Sequence, residues 1–422
     1  MSEPLQPPRG TKDLIGAEAR AHRAIAATLA DVCERYGAEP IETPIFEQLG
    51  VFARTLGDSS DVVAKEMYVF EDRGGDKMAL RPEGTAGVAR AFIHASLFDT
   101  LPRAFYYFGA MFRYERPQKG RQRQFHQAGV EFLGTTGALA DAEAIACAAR
   151  FLRHAGITAP LTLEINTLGT PPERLAYRAA LVAYFTAHRD ALSEDSLRRL
   201  ESNPLRILDS KDAGDKALVC GAPAFADFLT ADSMQYFRDV LACLNDSGAL
   251  GTIELRHNPH LVRGLDYYNH TAFEFTTTAL GAQATVLAGG RYDGLLASMG
   301  GKDAPGVGWA AGIERLALLQ PESAAARPCL ALCALDEVSA SHVLKLAEQL
   351  RGLTAKPVQT LRGAKLGKLL EKASKRGADA AFILGSTEAA AGTVTVKDLR
   401  SGDQVSGDSA ALNDWAAAFL TR

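Results

Sequence analysis

The sequence predicts an α+β protein with two domains. One is a large antiparallel sheet flanked by helices and carrying an all-helical insertion; the other is a small C-terminal α/β domain. Three observations carry this reading. Before residue 300 the strand-like runs mostly alternate with turns rather than regular helices, which favours antiparallel pairing. Residues 170–250 hold helical stretches and few strand signals. After a segment rich in Ala and Pro at 320–328, strands and helices alternate, as in a sheet with helices on its faces. A chain of 422 residues accommodates two or three domains of ~150 residues. The expected limits are 1–325, with the insertion at 170–250, and 326–422.

The elements follow in order. Ile25, Leu29, Val32, Cys33 and Tyr36 recur at helical spacing within 17–36, and Gly37 stops the helix. Helices are also expected at 85–98 and 138–155, with strands at 103–114, 125–133 and 161–168. The insertion reads as helices 173–189, 194–200 and 232–247. Strands return at 252–256, 271–277 and 283–288, then glycine-rich turns and a helix at 313–319. Past the linker come a strand (329–335), a helix (339–353), a strand (358–361), a basic helix (363–376), strands at 380–384 and 394–397, and a last helix at 410–420.

Composition excludes several classes. With 47% hydrophobic and 23% charged residues the chain reads as an ordinary globular protein. Its mean hydropathy is −0.05, and no stretch approaches the ~18 apolar residues of a membrane span. The N-terminus lacks a basic region followed by an apolar one, so a cytoplasmic protein with no membrane association is expected. The net charge of −4 excludes a wholesale polycation but leaves room for a local basic surface. Six scattered cysteines form no C-x-x-C pair and read as reduced thiols. His257 and His260 sit three apart around Pro259, which suits a solvated turn better than a metal, and no metal site is expected. Gly306, Gly308 and Ala311 fit G-x-G-x-x-A, but a polar turn precedes them where a dinucleotide fold needs an apolar strand. These glycines suit close packing of a strand and a helix, with Arg315 exposed at the helix start. The phosphate-binding G-x-x-x-x-G-K-[ST] pattern is absent.

The chemistry concentrates in a few stretches. Residues 112–132 read as a long hairpin around a polar loop. Alternation puts Phe125, Gln127, Gly129 and Glu131 on one face of the second arm, and His126, Ala128, Val130 and Phe132 on the apolar other. Arg113 and Glu115 share a face of the first arm. Arg116, Lys119, Arg121 and Arg123 make the loop cationic, which suits polyphosphate or nucleic acid. In 80–85, a cap on the following helix and a ligand-facing role explain Glu83 and Thr85 equally well. Arg263, Asp266, Tyr267 and Tyr268 crowd around Gly264. In the C-terminal region Lys365, Lys368, Lys372 and Lys375 share one helix face, and 362–376 holds six basic groups against one acid, Glu371. Such a stripe is usually a solvated face, yet it is also the footprint expected for nucleic acid.

These stretches together resemble the histidyl-tRNA synthetases, a class II aminoacyl-tRNA synthetase family, over essentially the whole chain. Residues 8–13 resemble the family's opening, and 41–46, with Thr43-Pro44, the class II dimer motif. Residues 113–132 and 308–316 resemble the second and third class motifs; 261–268 and 289–295 resemble two stretches peculiar to the histidine enzyme. The resemblance implies a class II antiparallel sheet, a C-terminal anticodon-binding domain and a homodimer. It implies that ATP and L-histidine condense to histidyl-adenylate, and that histidine then passes to the 3′ end of tRNA(His). Glu83, Thr85 and Gln127 would hold the α-ammonium, with Gly84 and Tyr267 beside them. Glu131 and Tyr268 would bond the imidazole nitrogens. Arg113 and Arg263 would flank the α-phosphate as catalytic charge stabilisers. Phe125 would stack on adenine below Arg315, with Glu115 beside the nucleotide and Arg121 at the terminal phosphates. Mg²⁺ would travel with ATP, bridging phosphates rather than sitting in a protein cage. The four lysines would serve tRNA. Two rivals share the fold: a catalytically inactive paralogue acting as regulatory subunit of ATP phosphoribosyltransferase, and an RNA-binding or sensor module. Arg113, Arg121, Arg263 and the 329–422 region weigh against the first, and the set Glu83, Gln127, Glu131 and Tyr268 against the second.

Overall fold

The computed structural model describes residues 5–56, 62–263, 267–281, 285–321, 329–353, 356–363 and 365–408. It divides into two compact units, Met1–Ala324 and Ala325–Arg422.

The strands of the first unit are β1 (Glu39–Pro40), β2 (Phe46–Gln48), β3 (Val69–Glu71), β4 (Lys77–Leu80), β5 (Arg103–Phe112), β6 (Gln124–Leu133), β7 (Thr162–Thr167), β8 (Glu254–His257), β9 (Asn269–Thr276), β10 (Thr285–Arg291) and β11 (Gly306–Gly312). Eight form one sheet in the order β1-β5-β6-β11-β10-β9-β7-β8. Its six central strands are antiparallel, as the turn-rich sequence predicts, and a short parallel strand closes each edge. Alternation sorts the side chains. Ala128, Val130 and Phe132 of β6 pack on Ile25, Leu29 and Val32 of the helix Ala17–Arg35 and on Ile145 and Phe151 of the helix Ala138–His154. On the opposite face Phe105 and Tyr107 of β5 pack on Val88 and Phe92 of the helix Thr85–His94.

The segment expected as an insertion is helical, with helices Pro171–Ala187, Glu194–Ser202, Ala213–Val219 and Ala231–Ser247. The last returns to the sheet: Phe237, Val240 and Leu244 join the same core as Ala17–Arg35. The helix expected over 85–98 ends at His94, because Ser96 takes a left-handed φ of 56°. The antiparallel sheet β2-β4-β3 was not expected; strands of three or four residues are too short to show alternation. Nor was the helix Leu49–Leu56.

The second unit has β12 (Cys329–Ala334), β13 (Val358–Arg362), β14 (Ala378–Leu384), β15 (Thr393–Asp398) and β16 (Gln404–Asp408) in the order β13-β12-β14-β15-β16. The first three are parallel, and β15 and β16 extend the sheet antiparallel. Leu330, Leu332 and Phe382 pack under Val343, Leu346 and Leu350 of the helix Glu337–Leu353. The basic helix spans Leu366–Lys375, with Lys365 as its extended N-cap. The helix expected at 410–420 and most of the 320–328 linker lie outside the described residues.

Candidate active site

A cavity of about 280 Å³ opens on the large sheet, and most of the predicted residues meet there. Glu83, Thr85, Arg113, Glu115, Arg121, Phe125, Gln127, Arg263, Tyr267, Tyr268 and Arg315 all line it. Gly264, Leu265 and Asp266 lie outside the described residues.

Glu83 resolves the ambiguity of its stretch by doing both jobs. Its carboxylate accepts from the backbone N–H groups of Thr85 (2.7 Å) and Ala86 (2.8 Å), closing the N-terminus of the helix Thr85–His94. It lines the cavity as well. Burial pushes its pKa up, and the bonds from Ala86 and Thr85 oppose that. Thr85 is therefore not the cap; its Oγ1 donates to Glu131 at 2.6 Å. Gly84 does not face the cavity. A Cβ there would stand 2.2 Å from the Tyr107 ring, so the position holds glycine for close packing.

Glu131 also differs from its expected place. It shares the face of Gln127 but lies beneath the cavity wall, 1% exposed. Besides Thr85 it accepts from the Tyr292 hydroxyl at 2.5 Å. Burial pushes its pKa up to about 8, partly offset by the Thr85 and Tyr292 hydroxyls. The β11 strand passes so close that a Cβ on Gly308 would meet Glu131 Oε2 at 2.0 Å.

Arg113 and Glu115 do not sit on a strand face. The β5–β6 ladder ends when Tyr114 N–H turns to Glu66 O and Glu115 N–H turns back to Arg113 O. Arg113 is held by a bond from Nε to Pro82 O (2.9 Å), with its guanidinium 5.3 Å from the Phe125 ring centroid. Glu115 lies 2.8 Å from Arg121 and 4.0 Å from Arg113. Arg315 is half-buried rather than exposed, donating to Thr285 O at 2.5 Å and Gly120 O at 3.3 Å. Burial lowers its pKa, and the nearby Arg121 adds to that.

Arg263 pairs with Glu274 of β9, and each side chain is 17% exposed. Burial works against its charge, but Glu274, Tyr268 and Tyr267 outweigh burial and raise its pKa. Glu274 also accepts from Thr285 Oγ1 at 2.6 Å. Sequence reasoning missed Glu274 and Tyr292. The available signal was a lone carboxylate between Phe273 and Phe275 in an apolar strand, and a tyrosine beside Gly289-Gly290. The buried polar atoms of cavity-lining residues with no hydrogen-bond partner among the described residues include the acceptor Gln127 Oε1 and the donor Arg263 Nε. A larger cavity of about 380 Å³ lies between the helix Pro171–Ala187 and residues 259–263, sharing only Arg263 with the first.

In the second unit Lys365, Lys368, Lys372 and Lys375 are all exposed, while Leu369 and Ala373 are buried beneath them. Lys375 bonds Glu371 at 2.6 Å.

A sequence model of histidyl-tRNA synthetases matches residues 10–316, and one of the anticodon binding domain matches 331–418. The chain is 54% identical over 422 residues to the histidine–tRNA ligase of Rhodospirillum rubrum, covering 99% of each. It is 50% identical over 400 residues to that of Gluconobacter oxydans, covering 95% of each. It superposes on the apo histidyl-tRNA synthetase of S. aureus with a TM-score of 0.78 at 31% identity, over 98% of this chain and 100% of that one. An ATP phosphoribosyltransferase regulatory subunit/histidyl-tRNA synthetase from Bacillus halodurans superposes with a TM-score of 0.65 at 20% identity, over 91% of this chain and 98% of that one. That last likeness shows the fold alone; the full-length identities separate the ligase from the regulatory paralogue. The chain belongs to the histidyl-tRNA synthetases, a family of ATP-dependent ligases.

Proposed function

We propose that the cavity binds L-histidine and ATP, forms histidyl-adenylate and passes histidine to the 3′ end of tRNA(His). The observation that carries this is the pair of orphaned atoms in one cavity. Gln127 Oε1, an acceptor in the same cavity as the Glu83 carboxylate, suits an ammonium group. Arg263 Nε, a donor on a charged group, suits a phosphate.

The histidine carboxylate, already ionised, attacks the α-phosphate as the α–β phosphoanhydride bond breaks and pyrophosphate leaves, so the step needs no general base. It needs two anions held together and the developing charge on phosphorus stabilised, which is work for Arg113 and Arg263. Glu274 keeps Arg263 charged and in place. Glu83, Thr85 and Gln127 hold the α-ammonium, and Glu131 and Tyr268 bond the imidazole. Phe125 offers its ring to adenine, Arg315 covers the other face, and Arg121 with Glu115 orders the loop at the terminal phosphates. The pocket carboxylates Glu115 and Glu274 are each engaged by arginines, which fits Mg²⁺ held by the phosphates of ATP and bringing charge neutralisation with them.

The C-terminal unit serves the anticodon end of tRNA through its lysine stripe. A homodimer is supported by Ile45, Phe46, Val69 and Phe70, which are 42–54% exposed on and beside the β2-β4-β3 sheet next to Thr43-Pro44. No helix among the described residues is long and apolar enough to cross a membrane, and a cytoplasmic location completes the reading. Histidine-dependent exchange of pyrophosphate into ATP, followed by charging of tRNA(His), tests the proposal. Exchange that is absent, or driven equally by other amino acids, would overturn it.

A further inference from the structure

The alternation that turns Phe125 and Gln127 toward the cavity turns His126 the other way, toward the helix Ala17–Arg35. There it meets His22, 6% exposed, with the two rings edge-on and their centroids 5.2 Å apart. Glu314, in the first turn of the helix Ile313–Leu319, completes the group. Its Oε1 lies 2.9 Å from His126 Nδ1, and both its oxygens accept from the His126 backbone N–H at 3.0 Å. One ligand atom from each of the three side chains lies within 4.8 Å of the others. His22 Nδ1 is buried and meets no hydrogen-bond partner among the described residues.

We infer that His22, His126 and Glu314 form a binding site for a divalent transition-metal ion of the zinc class. Two imidazoles and a carboxylate are the donors zinc takes, and three protein ligands leave a fourth position for water. The set excludes calcium and magnesium, which take oxygen ligands. In a tetrahedral site with bonds of ~2.0–2.1 Å the donor atoms stand roughly 3.4 Å apart. The 2.9 Å between His126 Nδ1 and Glu314 Oε1 would widen by about half an ångström, and the wider separations, all within 4.8 Å, would close toward the same spacing. When Nδ1 of His126 takes the metal, the ring's one proton resides on Nε2. Burial holds His22 below its usual pKa, Glu314 opposes that, and His126 and Lys12 reinforce it.

The site joins the N-terminal helix to two elements that line the pocket. His126 lies between Phe125 and Gln127, and Glu314 precedes Arg315 and itself lines the cavity. An ion there ties the N-terminal helix to two pocket walls and stabilises the folded chain by mass action. Residue spacing offers no hint of it, because the ligands come from residues 22, 126 and 314.

The test uses the full-length, metal-stripped protein with Zn²⁺ or Co²⁺ alone. One ion per chain should bind saturably and raise the melting temperature. X-ray absorption of the zinc-loaded wild type should show imidazole and oxygen scattering without sulfur, a readout that needs no variant. His22→Gln and His22→Phe should each weaken binding at least tenfold, whereas His260→Gln should not. The inference fails if no saturable binding occurs. It fails equally if the scattering shows sulfur, or if a well-folded His22 variant binds as the wild type does.

Discussion

Replacing Glu274 with Gln isolates the ion pair that holds Arg263. The substitution keeps the shape and leaves an oxygen for Thr285 Oγ1, so β9 and β10 should pair as before. What it removes is the charge facing the guanidinium. A hydrogen bond between charged groups contributes ~1.5–3 kcal/mol more than its absence, and little solvent reaches this pair to screen it. Arg263 Nε already lacks a partner, and no second carboxylate among the described residues pairs with the guanidinium. If that energy measures the preference for the aimed orientation, adenylate formation should slow ~10- to 100-fold. Removing the guanidinium itself, in Arg263→Ala, should cost ~10²–10³ or more.

Histidine-dependent pyrophosphate exchange, with single-turnover adenylate formation beside it, gives the rate. The loss should fall on kcat while KM for ATP moves little, because positioning a charge stabiliser acts on the transition state. Far-ultraviolet dichroism and the melting temperature of the variant should stay close to wild type. A Glu274→Gln enzyme within twofold of wild type, alongside a dead Arg263→Ala, would refute the positioning role and leave Arg263 held by substrate alone.

Glu131→Gln should raise KM for histidine about tenfold or more and KM for ATP much less; equal effects would mean the residue shapes the site generally. The same variant has a pH signature. A folded pKa of about 8 for Glu131 lies above its ordinary value, so its contribution to stability is whole at low pH and is lost as pH rises through the folded value. Wild-type melting should fall between about pH 5 and pH 8, with Glu83 pulling the same way, and Glu131→Gln should flatten that slope. Changing Lys365, Lys368, Lys372 and Lys375 to Ala should weaken tRNA charging and flatten its salt dependence, by ~0.7 in log affinity per decade of salt for each phosphate no longer neutralised. Pyrophosphate exchange should persist; its collapse in a well-folded protein with unchanged tRNA affinity would reject the assignment. Phe46→Ser with Phe70→Ser should shift sedimentation from dimer to monomer if the β2-β4-β3 face is the interface.

Strong periodicity made much of the fold legible. The helices Ala17–Arg35 and Ala138–His154 and the paired arms β5 and β6 fall within a few residues of expectation, because each buries one face over several turns or pleats. Most pocket residues were legible for a different reason: charged and aromatic groups cluster where a structural loop has no use for them. What escaped depends on neighbours distant in sequence. Nothing near residue 274 announces that its carboxylate will face Arg263. Arg315 looks like an exposed residue at a helix start until the 120 and 285 segments close over it. Arg113 and Glu115 look like continued alternation, because the point where a ladder stops is set by partners such as Glu66 and Arg123.

In the proposed function, burial and recognition would share the one carboxyl of Glu131. Two of its acceptor positions already hold the hydroxyls of Thr85 and Tyr292. The ionised form offers about four, so an imidazole N–H can be added without breaking either bond, and that bond favours the ionised form that burial opposes. A ligand lacking a ring nitrogen adds nothing and leaves the group as it stands, raised toward pH 8 by burial. On the proposed function the pocket would therefore discriminate by a gain available only to a donor of the right reach, with Tyr268 serving the second nitrogen. Withholding such a bond from a buried site can cost ~10⁴-fold in selectivity. Selection on that scale requires no editing step, and the hydroxyls that hold Glu131 in place are what make its remaining lone pairs directional.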